Sequence, residues 1–349
     1  MHYKLFGKSG LRVSELALGT MTFGEDWGWG ANKPSSQAIF EAYVKAGGNF
    51  IDTANRYTEG TAEKYVGEFI HSDRDHFVLA TKYTLKMRQG DPNFGGNHRK
   101  NMMQALHASL QRLNTEYVDI FWLHAWDFTT PVEEVMRGLD DLVRQGKVLY
   151  VGISDTPAWV VAQANTLADL RGWSRFVGLQ IRYSLADRAA ERDLLPMARA
   201  LDLAVTPWSV LGAGALTGKY NADPRAEGRV ARWGAAERDL KIAAEISAAA
   251  QEVGATNSQV AIAWVLAQQS PHHTPIIPIL GARKLEQITD NLGALKIQLS
   301  AEQLKRLDDA TRIELGFPHD FLQSDNVRDL VFGGTYDQIH NHRQPMRRE

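Results

Sequence analysis

Four side chains able to take part in proton transfer stand at or just after the ends of apolar runs in the first 124 residues. Asp52 ends "NFID" (49–52), Tyr57 follows five residues later, Lys82 ends "HFVLATK" (76–82) and His124 ends "YVDIFWLH" (117–124). If these runs are neighbouring strands about 4.8 Å apart, the aspartate and the lysine can meet as a partly buried ion pair. Tyr57, on the loop after Asp52, can fold back over that pair. A nearby ammonium is expected to lower its phenol pKa below the usual value of about 10. His124 would reach the same incoming oxygen from the other side. The chemistry such a set performs is the polarisation and protonation of a carbonyl. Each residue alone has a plainer reading: a capping aspartate, a solvated lysine, a surface aromatic, a satisfied polar histidine. Four suitable types on three consecutive strand ends favour the catalytic one.

Positioning them requires a particular scaffold. Eight apolar or β-branched runs recur, at 15–20, 49–54, 76–82, 117–124, 148–154, 176–181, 203–209 and 275–281. Between them, "QAIFEAYVKAGG" (37–48), "TAEKYVGEFI" (61–70) and "RKNMMQALHASLQRLN" (99–114) place apolar residues at i, i+3, i+4 and i+7, and similar patterns cover about 132–145, 157–170, 188–201 and 284–294. Near-continuous apolar strands alternating with amphipathic helices predict a parallel sheet covered on its outer face. Eight units close an α/β (β/α)8 TIM barrel, whose active site lies at the C-terminal ends of the strands. The "GAGALTG" at 212–218 resembles a Rossmann fingerprint, but it follows the seventh strand rather than the first. We expect a single domain over 1–349, with the barrel at about 15–312. Its expected decorations are a hairpin around Gly7 to Gly10, a long loop after strand seven over 209–238, a helical pair near 239–268 and a tail over 313–349.

Composition narrows the function classes. With 44% hydrophobic and 23% charged residues in 349, disorder is disfavoured. A net charge of −2 with intermixed signs gives no field to gather nucleic acid or an anionic membrane, and no apolar stretch approaches the roughly 20 residues that span a bilayer. There is no cysteine, which excludes thiol catalysis and thiolate metal sites. The start lacks the long apolar core of a secretory signal, so a cytoplasmic location is expected.

The stretches "FIDTANRY", "LATK", "DIFWLH", "GIS", "GLQIRYS" and "GARKLEQITDNLGAL", in order between about residues 3 and 312, resemble the aldo-keto reductase superfamily. The likeness is greatest to bacterial branches carrying "WSxLxxGxLTGKY", which also resemble potassium-channel β subunits. This resemblance implies that Asp52, Tyr57, Lys82 and His124 form a catalytic tetrad, with Tyr57 the general acid in carbonyl reduction and the base in alcohol oxidation. Neither tyrosine nor histidine supplies a hydride, so a nicotinamide cofactor is required. By motif match, Ser154, Asp155 and Gln180 would hold its carboxamide, and Trp208 would lie near its ring. Ser209, Val210, Leu211, Gly212, Gly214 and Lys219 would wrap the pyrophosphate, and Arg229 would close over it. Gly19, Thr20 and Met21 of the first strand end, with Asp52, would border the same site. After strand eight, Gly281 permits close approach of a phosphate, and a helix from about 284 offers amide donors. Arg283, Gln287 and Asn291 recur every four residues, suiting a 2′-phosphate and an adenine, and Asp290 stands where many relatives have Glu. An arginine in a first turn opposes the helix dipole, and its presence there favours NADP(H) over NAD(H). The chain departs from the usual Ser-Asn pair by carrying Asp155, a carboxylate that accepts but does not donate.

Trp27, Trp29, Trp126 and Phe128, with Trp233 in the long insertion, would form an aromatic pocket for a carbonyl substrate. His272 with His273 and His340 with His342 lack a third ligand at suitable spacing, so no metal is assigned. The reading is an NADP-dependent carbonyl reductase with a small-molecule carbonyl or alcohol substrate; a homo-oligomer is compatible with it. Two alternatives stay open: an NADP(H)-bound regulatory subunit like the channel β subunits, and a metal-dependent barrel lyase or hydrolase.

Overall fold

Strand-forming runs that are apolar on both faces must be covered on both, and the computed structural model shows how this chain does it. It describes residues 1–223, 225–226, 236–272 and 274–340. An antiparallel hairpin (β1, Tyr3–Leu5; β2, Arg12–Ser14) precedes eight strands: β3 (Ala17–Gly19), β4 (Phe50–Asp52), β5 (Val78–Tyr83), β6 (Val118–Leu123), β7 (Val148–Ser154), β8 (Phe176–Arg182), β9 (Ala204–Trp208) and β10 (Ile279–Gly281). These run parallel in the order β10-β3-β4-β5-β6-β7-β8-β9. The two ends of the sheet meet where Val205 bridges to Ile276: Val205 N–H donates to Pro275 O at 2.7 Å and Ile277 N–H to Val205 O at 2.8 Å. The result is the (β/α)8 barrel that the eight apolar runs predict.

Helices α1 (Lys33–Lys45), α2 (Thr61–Ile70), α3 (Arg99–Leu113), α4 (Val132–Arg144), α5 (Ala158–Arg171), α6 (Leu194–Ala200) and α11 (Leu285–Leu292) follow successive barrel strands. After β9 come α7 (Lys219–Ala222), α8 (Glu237–Val253), α9 (Asn257–Ala267) and α10 (Gln269–His272). Capping explains several boundaries. Asn32 accepts from Ser35 N–H and starts α1 four residues ahead of the apolar stripe, and Thr256 starts α9 with a reciprocal capping box. The expected helix over 188–201 is split, with a 3-10 turn at Ala189–Glu191 before α6. Past α12 (Ala301–Thr311) the expected tail contains two short helices, α13 (His319–Gln323) and α14 (Asp325–Phe332). Among the described residues no helix is long and apolar enough to cross a membrane.

The barrel interior is filled from below. The β1–β2 hairpin inserts Phe6, fully buried, edge-on against Phe50 at 5.7 Å and Trp122 at 6.1 Å. Trp122 needs the room left by two glycines. A Cβ on Gly152 would sit 2.4 Å from its ring, and one on Gly178 would sit 2.6 Å from Phe6. This plug occupies the N-terminal end, so polar side chains can gather at the other.

Candidate active site

Register brings the expected residues together. Asp52, the last residue of β4, pairs with Ala80 of β5, and Lys82 stands two residues further along β5. Both side chains are buried. Lys82 Nζ donates to Asp52 Oδ2 at 2.5 Å, to Thr53 O at 2.8 Å and to Tyr57 Oη at 3.1 Å, so its three donors are all engaged. The other carboxylate oxygen, Asp52 Oδ1, accepts from Gln180 Nε2 at 3.0 Å. Gln180 lies on β8, 128 residues away, and reaches across the barrel. Burial works against the Lys82 ammonium, but contact with the Asp52 carboxylate outweighs it and holds the lysine pKa above its usual value.

Tyr57 is turned back over the pair by an unusual backbone. Thr58, Glu59 and Gly60 all have positive φ, at 44°, 53° and 95°. The first two cost about 1–2 kcal/mol each. Buried Thr58 holds the turn by donating to Phe23 O at 2.5 Å and accepting from Ala62 N–H at 3.1 Å. Lys82 Nζ comes to 4.7 Å from the Tyr57 ring centre. The expected lowering of the Tyr57 pKa is reversed. Burial pushes the phenol above its usual value, and the Lys82 ammonium, its charge already balanced by Asp52, opposes this without overcoming it.

His124 is the first residue after β6, its ring edge-on to Tyr57 at 5.9 Å. Burial and the neighbouring ammonium of Lys82 press its pKa down to about 3, so the ring is neutral near pH 7. Nδ1 is buried without a partner. Placing the ring proton on Nε2 spares the site an orphan donor. Sequence reasoning missed what holds this residue. Its backbone N–H donates to Thr84 Oγ1 at 3.3 Å, and Thr84 sits at φ 92° just past β5. Asn97, fully buried, donates from its side chain to the same oxygen at 3.0 Å and exchanges backbone-to-side-chain bonds with Asp127: its Oδ1 accepts from Asp127 N–H and its own N–H donates to the Asp127 carboxylate, both at 2.7 Å. That carboxylate also accepts from Thr129 and Thr130, which with the Asn97 amide hold its pKa down to about 2 despite partial burial. The Asp-x-Thr-Thr spacing is a turn signal visible in the sequence. Its tie to the loop before α3 is not.

The strand ends beyond hold the candidate cofactor residues. Ser154 ends β7 with a buried, unpartnered Oγ. Asp155, exposed and at φ 41°, accepts from Trp208 Nε1 at 3.2 Å. Gln180 commits one N–H of its amide to Asp52, which leaves its carbonyl and a second N–H for a ligand. After Trp208 the chain runs through left-handed Ser209, Gly212, Ala213, Gly214 and Gly218. A Cβ added at Gly214 would come 3.9 Å from Lys219 Nζ, so the amine stands over that turn. Val210 does not face it; its side chain lies in the core. Leu211 is packed against the core and part-exposed. Thr20 donates to Asp52 O through N–H and Oγ1, fixing Gly19 and Met21 beside the second strand end. Around Gly281 nothing lies within 4 Å of a built Cβ. The orphaned Ser154 hydroxyl, the open glycines and the amine over Gly214 fit a phosphate-bearing nicotinamide nucleotide.

The last segment differs from expectation. The helix starts at Leu285 with Lys284 as its cap, so Arg283 precedes it and does not stand in its first turn. Gln287 turns back to accept from Arg283 N–H at 2.8 Å, Asn291 is buried, and Asp290 accepts from Thr256 and Gln259 at the start of α9. Of the remaining candidates, Arg229 and Trp233 lie outside the described residues. Trp27 and Trp29 pack together at 5.7 Å, and Trp27 is joined to the Tyr57 loop through Glu59, which accepts from its Nε1 at 3.0 Å and pairs with Arg56. Trp126 packs on the core and donates from its backbone to Asp155 O at 3.4 Å, while Phe128 is 71% exposed. The first three border the site; Phe128 projects into solvent.

Sequence comparisons place the chain among known proteins. The profile of the aldo/keto reductase family matches residues 15–312. The chain is 40% identical over 368 aligned positions to an aryl-alcohol dehydrogenase (NADP(+)) of Phanerodontia chrysosporium, covering 97% of this chain and 91% of that protein. It is 39% identical over 333 positions to a norsolorinic acid reductase of Aspergillus flavus, covering 92% and 84%. The chain therefore belongs to the aldo/keto reductase family. It is an oxidoreductase of carbonyl compounds, in a family that uses nicotinamide cofactors.

Proposed function

We propose that this enzyme reduces aldehydes or ketones to alcohols, reversibly, with NADP(H) favoured over NAD(H) and with Tyr57 as the proton donor. The observation that carries the proposal is the Lys82 ammonium shared between Asp52 Oδ2 and Tyr57 Oη. Tyr57 gives its proton to the carbonyl oxygen, and the phenolate left behind is stabilised by the ammonium already in contact with it. Asp52, held by Gln180, keeps Lys82 charged and aimed. Neutral His124 offers a second donor to the same oxygen, which polarises the carbonyl without a full positive charge. When bound, the nicotinamide supplies the hydride to the carbonyl carbon, or takes it back from the alcohol. Arg283, with no acceptor for its guanidinium among the described residues, suits a 2′-phosphate. The tryptophan wall beside Tyr57 and the relative named for aryl alcohols both support aromatic aldehydes as the substrates to screen first.

Tyr57→Phe removes the proton and little volume. NADPH affinity, measured by quenching of tryptophan emission, should be retained, while carbonyl reduction should fall about 10²- to 10⁴-fold. Near-wild-type turnover in this variant would remove Tyr57 from the mechanism.

A further inference from the structure

Charge around the tetrad is unevenly balanced, and among the described residues the imbalance resides in one residue. Asp52 and Lys82 neutralise each other at 2.5 Å, and His124 and Tyr57 are uncharged near neutral pH. Asp155 adds a carboxylate that forms no salt bridge among the described residues; its hydrogen-bond donor is the uncharged indole of Trp208. Arg182 lies over the Trp208 ring at 6.0 Å but is itself paired with Asp187 at 3.1 Å. Around the tetrad, among the described residues, this leaves about one negative charge uncompensated.

Hydride transfer requires the nicotinamide to touch the carbon whose oxygen Tyr57 holds. Asp155 stands one residue past the end of β7, its N–H donating to the Gln180 backbone oxygen at 3.3 Å, and the Gln180 side chain in turn holds Asp52 at 3.0 Å, which puts Asp155 beside the tetrad. A ring delivering hydride there comes within reach of the same carboxylate. That ring is cationic when oxidised and neutral when reduced. We propose that Asp155 biases this site toward the oxidised nicotinamide nucleotide. The inference rests on the cofactor reading above and adds the role of one charge within it. Its consequence is that alcohol oxidation is favoured at the binding step, and that carbonyl reduction is inhibited by its own oxidised product.

Asp155→Asn isolates the charge. Asparagine keeps the oxygen that accepts from Trp208 and tolerates the φ of 41° at this position, so the indole and the turn stay in place. The test is calorimetric titration of wild type and Asp155→Asn with NADP+ and, separately, NADPH, at about pH 8 to keep the carboxylate ionised. The ratio Kd(NADPH)/Kd(NADP+) should fall roughly three- to tenfold in the variant, through weaker NADP+ binding, the effect of one charge on another in a part-solvated site. An unchanged ratio, with both nucleotides binding both proteins, would overturn the inference and leave the cofactor reading intact. Failure of either nucleotide to bind wild type would bring down the cofactor reading and this inference together.

Discussion

Lys82 has three N–H donors, and an aspartate, a backbone carbonyl and a phenol take one each. This full use of donors lets a lysine stay charged where nothing else pays its desolvation. His124 shows the opposite outcome of burial: desolvated and with the Lys82 ammonium nearby, it is held neutral. The linkage has a definite sign. The folded ring titrates near 3 and the unfolded one near 6.5, so below pH 6.5 the unfolded chain binds the extra proton. Stability contributed by neutral His124 is complete above that pH and drains away as pH falls toward 3. Urea midpoints compared at about pH 7 and about pH 5 should fall more in wild type than in His124→Gln. Equal falls would show that the ring is solvated in the folded protein.

At the scale of elements, two neighbouring strands are kept bare so that a third can carry an indole. Gly152 on β7 and Gly178 on β8 leave the volume that Trp122 of β6 occupies, and Phe6 closes it from below. A methyl at Gly152 would overlap the ring at 2.4 Å with little room for retreat. Gly152→Ala should therefore lower stability by about 1–3 kcal/mol, seen as a lower urea midpoint with an unchanged slope. Full stability would mean that the ring can turn aside. Because Trp122 pairs in register with Lys82, the same variant should also reduce turnover. The loops obey a similar logic: Asn97 and Asp127 bind the connections after β5 and β6 together, and Thr84, in a strained conformation, passes that order to the His124 backbone.

The whole molecule divides stability from chemistry along the barrel axis. Below lie the hairpin and Phe6; Trp122, in register with Lys82, lies between them and the tetrad and loops above. Phe6→Ala removes a fully buried ring at the lower end and should cost about 3–5 kcal/mol. At 25 °C, NADPH affinity of the folded fraction should stay within about twofold of wild type, because Phe6 packs on Phe50, Trp122 and Gly178, none of them a candidate cofactor residue. A large loss of affinity together with stability would show that the two ends are coupled.

The division between what was legible in the chain and what was not follows from how far each property reaches. Alternating apolar runs fixed the eight strands, because strand periodicity and helical stripes are local. The four candidate catalytic residues were recognisable because each stands at or beside the end of its own run. The Asp52–Gln180 bond joins residues on strands whose facing depends on barrel closure, and no pattern in either segment announces it. The direction of the Tyr57 pKa went against expectation because a sequence places a lysine nearby but does not show how thoroughly its charge is already neutralised, or how much water the loops exclude. Arg283 fell outside its helix because Lys284 takes the cap, a choice made by the path from β10. Composition and spacing supplied the candidate reacting groups; only the closed barrel decided which charges were balanced and which, at Asp155, has no charged partner among the described residues.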